Sequence, residues 1–266
     1  MKACGICGAD LHFYKGDHAN IPYGFCLGHE GSGEIVEVGA GVINVKSGDR
    51  VCIEPQVGQY SGLITHFYKH KADKVHKIND HVTYEEAAFV EPLAVGLNGV
   101  RRGEIGKTGR KNVIIIGAGP IGAVSILCSK AEGAKWVGTC DLLEARLQAA
   151  KKIGADATLL TKPSMTSDEV AAALQTLHPV GESVDVIIDA VGITSTLNTA
   201  FKLQTTRSPR RAYYGPHYPD AARMVNDGVV DVKPLITHRI SMDQFEEGFR
   251  LLLDGNSGAG KVIFQL

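Results

Sequence analysis

The chain has 266 residues, of which 44% are hydrophobic and 21% charged, and its formal net charge is −1. This length predicts two compact units, and the composition is typical of a globular protein rather than a disordered one. There is no basic surplus, so we expect no binding to nucleic acid or to a membrane, and a small neutral molecule as the partner. The six cysteines are too sparse for a disulfide scaffold, and no segment resembles a signal peptide, so we expect a cytoplasmic protein with reduced thiols.

The N-terminal third of the chain predicts a small β-rich unit. Residues 34–38 and 51–53 are rich in β-forming side chains and are separated by turn-forming glycines. Thr83 and Glu86 form a capping box ahead of an apolar run, which predicts the start of a helix. A β-rich unit that ends in a helix is therefore expected here.

From Asn112 onward, apolar strands alternate with helices. The run from Val113 to Ile116 is continuously apolar, as expected for a strand that is buried on both faces. The alternation predicts a parallel sheet with crossover helices, followed by a last helix and a terminal strand. The predicted strands cover residues 113–116, 136–140, 157–160, 184–190 and 261–266, and the predicted helices cover residues 121–131, 144–153, 168–177 and 242–253.

A glycine-rich loop follows the first of these strands. Gly117, Gly119 and Gly122 have the spacing of a dinucleotide-binding loop, in which the glycines permit a tight turn, close approach of the pyrophosphate and close helix packing. Pro120 and Ile121 open the helix whose N-terminal amide groups would receive the phosphates. The alternative, a glycine turn that only packs a strand on a helix, is disfavoured by the combination of strand, loop and helix.

The end of the next strand bears on which cofactor is bound. Asp141 lies where a carboxylate can accept hydrogen bonds from the adenosine ribose and would repel a 2′-phosphate, which predicts NAD rather than NADP. Arg146 is ambiguous, because an arginine there could accommodate that phosphate or cover the adenine face. Val191 and Gly192, at the carboxyl edge of the sheet, are predicted to approach the nicotinamide end of the cofactor.

Cys7, His29 and Glu30 form a candidate metal site. Sulfur, nitrogen and oxygen donors of this kind bind zinc and leave a fourth position for water or substrate. His29 and Glu30 are adjacent, so they can serve one ion only from a turn, which Gly28 would permit. The residues alone leave two alternatives open: Cys7 fits a buried thiol about equally well, and with Cys4 it makes a pair typical of redox dithiols or of half a zinc knuckle.

Two acid-base candidates accompany these donors. Glu91 lies in the apolar run Phe89-Val-Glu-Pro-Leu, where an unpaired carboxylate is costly to bury, so it either starts a helix or faces the metal. His12 is either part of the same site or a turn histidine that is satisfied by its neighbours. The residues alone do not decide between these interpretations.

Together these segments resemble the zinc-dependent medium-chain alcohol dehydrogenases, specifically the polyol branch of sorbitol, xylitol and arabinitol dehydrogenases. The likeness covers most of the chain and includes two segments similar to the family's zinc motifs. The matching runs are Gly5-Ile-Cys7-Gly8-x-Asp10-x-His12, Gly28-His29-Glu30-x-x-Gly33, Gly48-Asp49-Arg50-Val51, Glu54-Pro55, Phe67-Tyr68-Lys69-His70, Glu91-Pro92-Leu93 and Val232-Lys233-Pro234-Leu235-Ile236-Thr237-His238-Arg239.

The resemblance implies an α/β protein with a GroES-like catalytic domain at residues 1–91, a Rossmann NAD-binding domain at 92–225, and a segment at 226–266 that returns to the catalytic domain. It implies one catalytic Zn²⁺ held by Cys7 and its two partner donors, with Glu91 beside it. The implied reaction oxidises a polyol to a ketose with hydride transfer to NAD. Homo-oligomers are common in the family, so self-association is an open expectation.

The chain departs from the family pattern in several places, so parts of the fold are expected to be missing. Met1 follows the position of the family's opening strands, and residues 56–60 replace a long lobe, so no structural zinc site is expected. The glycine turn and final Rossmann strand are missing between residues 203 and 211. Ala9 stands where the family has a proton-relaying serine or threonine, and Tyr213 where polyol enzymes place an arginine.

The leading hypothesis is an active zinc- and NAD-dependent polyol dehydrogenase. A second is a catalytically impaired NAD(H)-binding protein derived from the same family, motivated by Ala9 and the missing segments. A third is a zinc-free quinone or enone reductase on the same scaffold, which would have no need of Cys7, His29 and Glu30 together. Metal content and turnover distinguish the three hypotheses.

Overall fold

A computed structural model describes residues 1–17, 26–55, 62–107, 111–179, 182–203, 215–254 and 257–266. The departures at residues 56–60, most of the stretch 203–211, and Tyr213 lie outside these ranges. The described residues form two compact units, one of Met1–Glu91 with Tyr218–Leu266 and the other of Pro92–His217. No helix in these ranges is long and apolar enough to cross a bilayer.

Strands and helices of both units are short. The strands are β1 (Ala3–Gly5), β2 (Glu30–Glu34), β3 (Arg50–Ile53), β4 (Val75–Lys77), β5 (Asn112–Ile116), β6 (Trp136–Asp141), β7 (Ala157–Leu160), β8 (Val186–Asp189), β9 (Ile236–Ser241) and β10 (Lys261–Gln265). The helices are α1 (Gly8–Tyr14), α2 (Tyr84–Ala88), α3 (Val90–Arg102), α4 (Pro120–Ala131), α5 (Glu144–Lys152), α6 (Ser167–Leu177), α7 (Thr194–Lys202), α8 (Tyr218–Asn226) and α9 (Phe245–Leu253). Single 3₁₀ turns lie at Ala72–Lys74, Gly215–His217, Lys233–Leu235 and Met242–Gln244.

The first unit contains a six-stranded mixed sheet in the order β4-β3-β2-β1-β10-β9. Neighbouring strands are antiparallel except β9 and β10, which are parallel. Cys4 of β1 pairs with Phe264 of β10, and both side chains are fully buried in a core that also contains Leu63 and Phe249. Segments from the two ends of the sequence thus lie side by side, which matters for the site below.

The predicted strand at residues 34–38 is wrong in position, because β2 covers Glu30–Glu34. Val36 is 66% exposed, so its β-forming side chain does not belong to the core. The sequence pattern did not indicate this strand, because two of its residues are glycines, which are uncommon in strands. At Gly31 a Cβ would lie 2.7 Å from the side chain of Leu63, so close packing requires glycine there. The predicted capping box is confirmed: the Thr83 hydroxyl accepts a hydrogen bond from the Glu86 amide ahead of α2.

The second unit contains a four-stranded parallel sheet in the order β7-β6-β5-β8. This confirms the predicted alternation of strands and crossover helices. The central strand β5 is buried along its whole length, as its continuous apolar run predicts. Its Ile114 and Ile116 pack with Trp136, Leu174 and Ile187 in the core of this unit.

The return of the chain to the first unit begins earlier than the sequence predicted. Residues from Tyr218 onward belong to the first unit, whereas the predicted boundary lay at residue 226. The Tyr218 side chain is fully buried, and its hydroxyl donates a 2.7 Å hydrogen bond to the carbonyl of Ile53 in β3. At the other end of α8, Asn226 bonds with Asn79, His81 and Lys77, so long-range contacts at both ends of the helix place it in the first unit.

Candidate functional site

Cys7, His29 and Glu30 come together in the first unit, where one ligand atom from each lies within 4.8 Å of the others. Cys7 is the N-cap residue of α1, and Glu30 is the first residue of β2. The turn that brings His29 alongside Glu30 depends on Gly28, which has a φ of +94° and whose Cβ would lie 2.6 Å from Ile64. Residues 26–29 have no regular secondary structure, and the special backbone conformation expected of Gly28 is present immediately before β2.

Asp10 connects the segments that carry these donors, and the sequence analysis did not single it out. Its carboxylate is 1% exposed and accepts hydrogen bonds from the amides of Cys7, at 2.9 Å, and Gly28, at 3.1 Å. One of its oxygens lies 3.7 Å from Nδ1 of His29. A carboxylate behind a ligating histidine orients the ring and favours one tautomer. The signal was available, because Asp10 is part of the quoted run Gly5 to His12.

Lys261 is a second residue that the sequence analysis missed. Its Nζ lies 2.6 and 2.7 Å from the two carboxylate oxygens of Glu30 and 3.2 Å from the carbonyl of Ile6. Gly5 leaves room for this carboxylate, since a Cβ there would lie 2.2 Å from Glu30 Oε2. A lysine at the start of an apolar terminal strand gives no hint of its partner, because β10 reaches Glu30 only through the sheet.

Glu91 is buried near these groups at the start of α3. Burial first, and then the charges of Glu30 and Asp10, raise its pKa to about 7, although His29 and Lys261 act in the opposite direction. For His29, burial lowers the pKa, but the Cys7 side chain and the carboxylates of Glu91 and Asp10 outweigh it and raise the pKa to about 10. The cluster thus holds an excess of acidic groups and favours positive charge.

His12 does not belong to the cluster. It lies on α1, its ring is 62% exposed, and its Nδ1 is 3.0 Å from Asp17 Oδ2. This is the geometry of a surface histidine paired with a carboxylate.

The glycine loop of the second unit follows β5 and opens α4, with Pro120 at the first turn of the helix. Gly117 has a φ of +92°, which only glycine adopts readily. At Gly122 a Cβ would lie 1.8 Å from the carbonyl oxygen of Gly117, so the helix packs tightly on the loop. At Gly119 a Cβ would meet nothing closer than 3.8 Å, from Arg146. Close packing therefore does not require a glycine at position 119. The absence of a side chain there leaves room for a ligand against the backbone.

The remaining predicted cofactor residues lie at the same edge of the parallel sheet. Asp141 accepts hydrogen bonds from the amides of Ala118 and Leu143, at 2.8 and 2.9 Å, and one of its oxygens is 3.7 Å from Arg146. A Cβ on Gly117 would lie 2.5 Å from Val191, so these segments adjoin. Ile121 follows Pro120 in the first turn of α4, and Gly192 has open space around it.

Comparison with known proteins matches both units of the chain, and the second match extends past His217 into residues of the first unit. Residues 1–80 match the model of the alcohol dehydrogenase GroES-like domain, and residues 120–246 match that of the zinc-binding dehydrogenase. Sorbitol dehydrogenase of Mus musculus is 32% identical over 309 residues, covering 96% of this chain and 85% of the relative. L-idonate 5-dehydrogenase of Vitis vinifera is 34% identical over 324 residues, covering 100% and 87%.

Both alignments are longer than the 266 residues of the chain, so they must open gaps in it. These relatives therefore carry residues that this chain lacks. Among solved structures, 2R,3R-butanediol dehydrogenase of Bacillus subtilis superposes with a TM-score of 0.81 at 28% identity, covering 100% of this chain and 90% of the other. The similarity therefore extends over both units.

Proposed function

Because this chain belongs to the zinc-dependent medium-chain alcohol dehydrogenase family, in its polyol branch, we propose that it oxidises a secondary alcohol of a polyol to a ketone and transfers the hydride to NAD. The observation that carries the proposal is the convergence of Cys7, His29 and Glu30. Three protein donors of these types are the number that a catalytic zinc site uses, with one position open for substrate.

The donor set fits a divalent cation in its charge as well as in its chemistry. Asp10, Glu30 and Glu91 are buried carboxylates in one cluster, and Lys261 is a buried cation that pairs with Glu30. Zinc bound there would act as a Lewis acid that makes the alcohol hydroxyl more acidic, while the nicotinamide of NAD would accept the hydride.

The chain's own side chains would divide the remaining work. Asp10 would hold His29 in the orientation in which its free nitrogen serves the metal. Glu91, with a pKa of about 7, can hold or release a proton near neutral pH. Ala9 carries no hydroxyl, so we propose that exposed His12, with water, takes over the passage of the proton to solvent.

For the cofactor we propose NAD. The Gly117, Gly119 and Pro120 backbone would cradle the pyrophosphate at the start of α4, and Asp141 would accept hydrogen bonds from the adenosine ribose. The carboxylate of Asp141 would repel the 2′-phosphate of NADP. Arg146 lies 3.7 Å from the same carboxylate and offsets part of this repulsion, so the proposed preference for NAD rests on the ribose hydrogen bonds as well.

A second candidate function is binding of NAD(H) without turnover. It is favoured by Ala9 at the relay position and by the gaps that the alignments require. The third hypothesis, a zinc-free quinone or enone reductase, does not account for the Cys7, His29 and Glu30 cluster.

The test is a substrate panel with the zinc-loaded chain. Sorbitol, xylitol, L-arabinitol and L-idonate are offered with NAD or NADP, and NADH or NADPH formation is followed by absorbance, before and after treatment with a chelator. The proposal predicts turnover of at least one polyol with NAD, its loss with the chelator and its return with zinc. NADH binding without turnover of any substrate would favour the second candidate, and chelator-resistant quinone reduction the third.

A further inference from the structure

Lys261 is unusual in its burial. In the part of the chain that the structure describes, no other lysine or arginine is buried, and Lys261 is only 3% exposed. Burying an ammonium group is costly unless a partner compensates its charge. The partner is Glu30, and the ammonium engages both of its carboxylate oxygens.

The surroundings of this ion pair are closed on the remaining sides. The carbonyl of Ile6 accepts a further hydrogen bond from Lys261, and the ring of Phe89 lies with its centroid 5.6 Å from the ammonium. Three chain segments therefore hold the ammonium in place. It is a fixed charge rather than a side chain that moves out to water.

Glu30 is at once the partner of this ammonium and one of the three metal donors. We infer that Lys261 is a built-in counter-ion of the metal site, which neutralises Glu30 while the site holds no metal and competes with the metal for the same carboxylate. The inference rests on the metal site of the proposed function. Lys261 acts through Glu30 and is therefore a positioning residue, not a catalytic one.

Two consequences of opposite sign follow. Without the ammonium, the buried carboxylate of Glu30 loses the charge that pairs with it, so the metal-free protein is less stable. Metal binding becomes tighter, because a like charge close to the cation is gone and Glu30 is free to ligate. The repulsion between the ammonium and the metal ion in partly desolvated surroundings exceeds the benefit of the two hydrogen bonds that orient Glu30, so zinc binding becomes tighter.

The experiment compares Lys261→Met and Lys261→Gln with Lys261→Arg and with Lys135→Met. Lys135 is a matched control, since it also pairs with a glutamate, Glu182 at 2.6 Å, but is largely solvated in the other unit. All variants are prepared with zinc and then stripped. Zinc Kd is measured by competition with a chelator, and thermal unfolding is recorded with and without zinc.

The two neutral variants at position 261 are expected to bind zinc about tenfold or more tightly, because a positive charge no longer lies beside the cation. Their metal-free Tm should fall by about 10 °C, as for a broken buried ion pair in a chain of this size, and zinc should restore most of it. Lys261→Arg and Lys135→Met should bind zinc like the parent chain.

Unchanged or weaker zinc binding by the folded neutral variants would overturn the inference. So would a failure of both variants to fold in the presence of zinc, because the metal should replace the missing charge. If the parent chain binds no zinc at all, the proposed function fails instead, and the two failures are distinguished by this one titration.

Discussion

The metal cluster of the first unit and the cofactor loop of the second are built by different means. The cluster is made of side chains, and its charges are fixed by burial and by partners such as Asp10 and Lys261. The loop is made of backbone, and its key position, Gly119, is defined by the absence of a side chain. Mutations in the cluster should therefore change its charge and its binding of a metal. Mutations in the loop should change the space that is available to the cofactor.

The largest effect is expected at Cys7. Cys7→Ser replaces the thiolate by a poor zinc ligand, so turnover and zinc content should fall together, turnover by about a thousandfold. Zinc is measured by mass spectrometry and turnover by NADH absorbance. Cys26→Ser is the control, because Cys26 is an exposed thiol outside the cluster, and it should behave like the parent chain. Equal turnover in Cys7→Ser would show that the thiolate is not a ligand.

The next effect concerns Glu91. Glu91→Gln removes the group that exchanges a proton near neutral pH, so kcat should fall by about a hundredfold. Steady-state kinetics with the preferred polyol measure this change. The KM for NAD should not change, because the cofactor loop belongs to the other unit. A kcat within twofold of the parent, about 0.4 kcal/mol in barrier height, would remove Glu91 from the chemistry.

Glu91 should also govern how the stability of the metal-free protein depends on pH. Its folded-state pKa of about 7 lies above the ordinary 4.5, so the folded protein holds this proton more tightly than the unfolded chain does. The resulting stabilisation is full below pH 4.5 and is lost as the pH rises to about 7. This contribution to the free energy of unfolding is at most about 3 kcal/mol. Urea unfolding at stepped pH should show a smaller decline in Glu91→Gln, whereas exposed Glu144→Gln should follow the parent.

Two glycines of the cofactor loop provide a matched pair. Gly119→Ala has space for its methyl group, so the free energy of unfolding should stay within about 0.5 kcal/mol while NADH binding weakens about tenfold or more. Gly122→Ala would place Cβ 1.8 Å from the Gly117 carbonyl, so it should destabilise the fold by about 2 kcal/mol or more. Calorimetry and chemical unfolding measure the two effects. If both variants lose stability equally, the space at Gly119 is not reserved for a ligand.

A smaller effect is expected at Asp141. Asp141→Asn keeps the side chain's shape but removes the charge that repels a 2′-phosphate, so the preference for NAD over NADP should decrease by about tenfold. The ratio of kcat/KM values for the two cofactors measures it. Asp168→Asn is the control, because Asp168 is exposed and pairs with Lys202. A parent chain that already prefers NADP would contradict the assignment.

The smallest effect is expected at His12. His12→Gln should lower turnover only about threefold, because water can carry the proton past an exposed side chain, and added imidazole should restore the rate. Turnover is measured at rising buffer concentration. A loss as large as that of Glu91→Gln would mean that His12 takes part directly in the chemistry.

The two sites also differ in how far sequence predicts them. The cofactor loop was predicted together with its strand and helix, because its residues are contiguous. Each of its glycines serves the backbone conformation, the packing or the ligand space close to it in the sequence. The three metal donors were predicted only as one of several readings, because the turn at Gly28 was inferred and not seen. Lys261 was missed entirely, since it meets Glu30 through strand pairing across the length of the chain. The sequence also did not predict that the chain returns to the first unit at Tyr218 or that β2 covers a glycine-rich segment. Both features depend on tertiary contacts.

Titration of the metal-free chain with Co²⁺ tests the central claim most directly, because cobalt replaces zinc and reports its ligands by absorption. We expect saturation at one equivalent per chain, with a thiolate-to-cobalt band that is absent from Cys7→Ser and present in Cys26→Ser. Saturating binding without a thiolate band in the parent chain, or no binding at all, would contradict it.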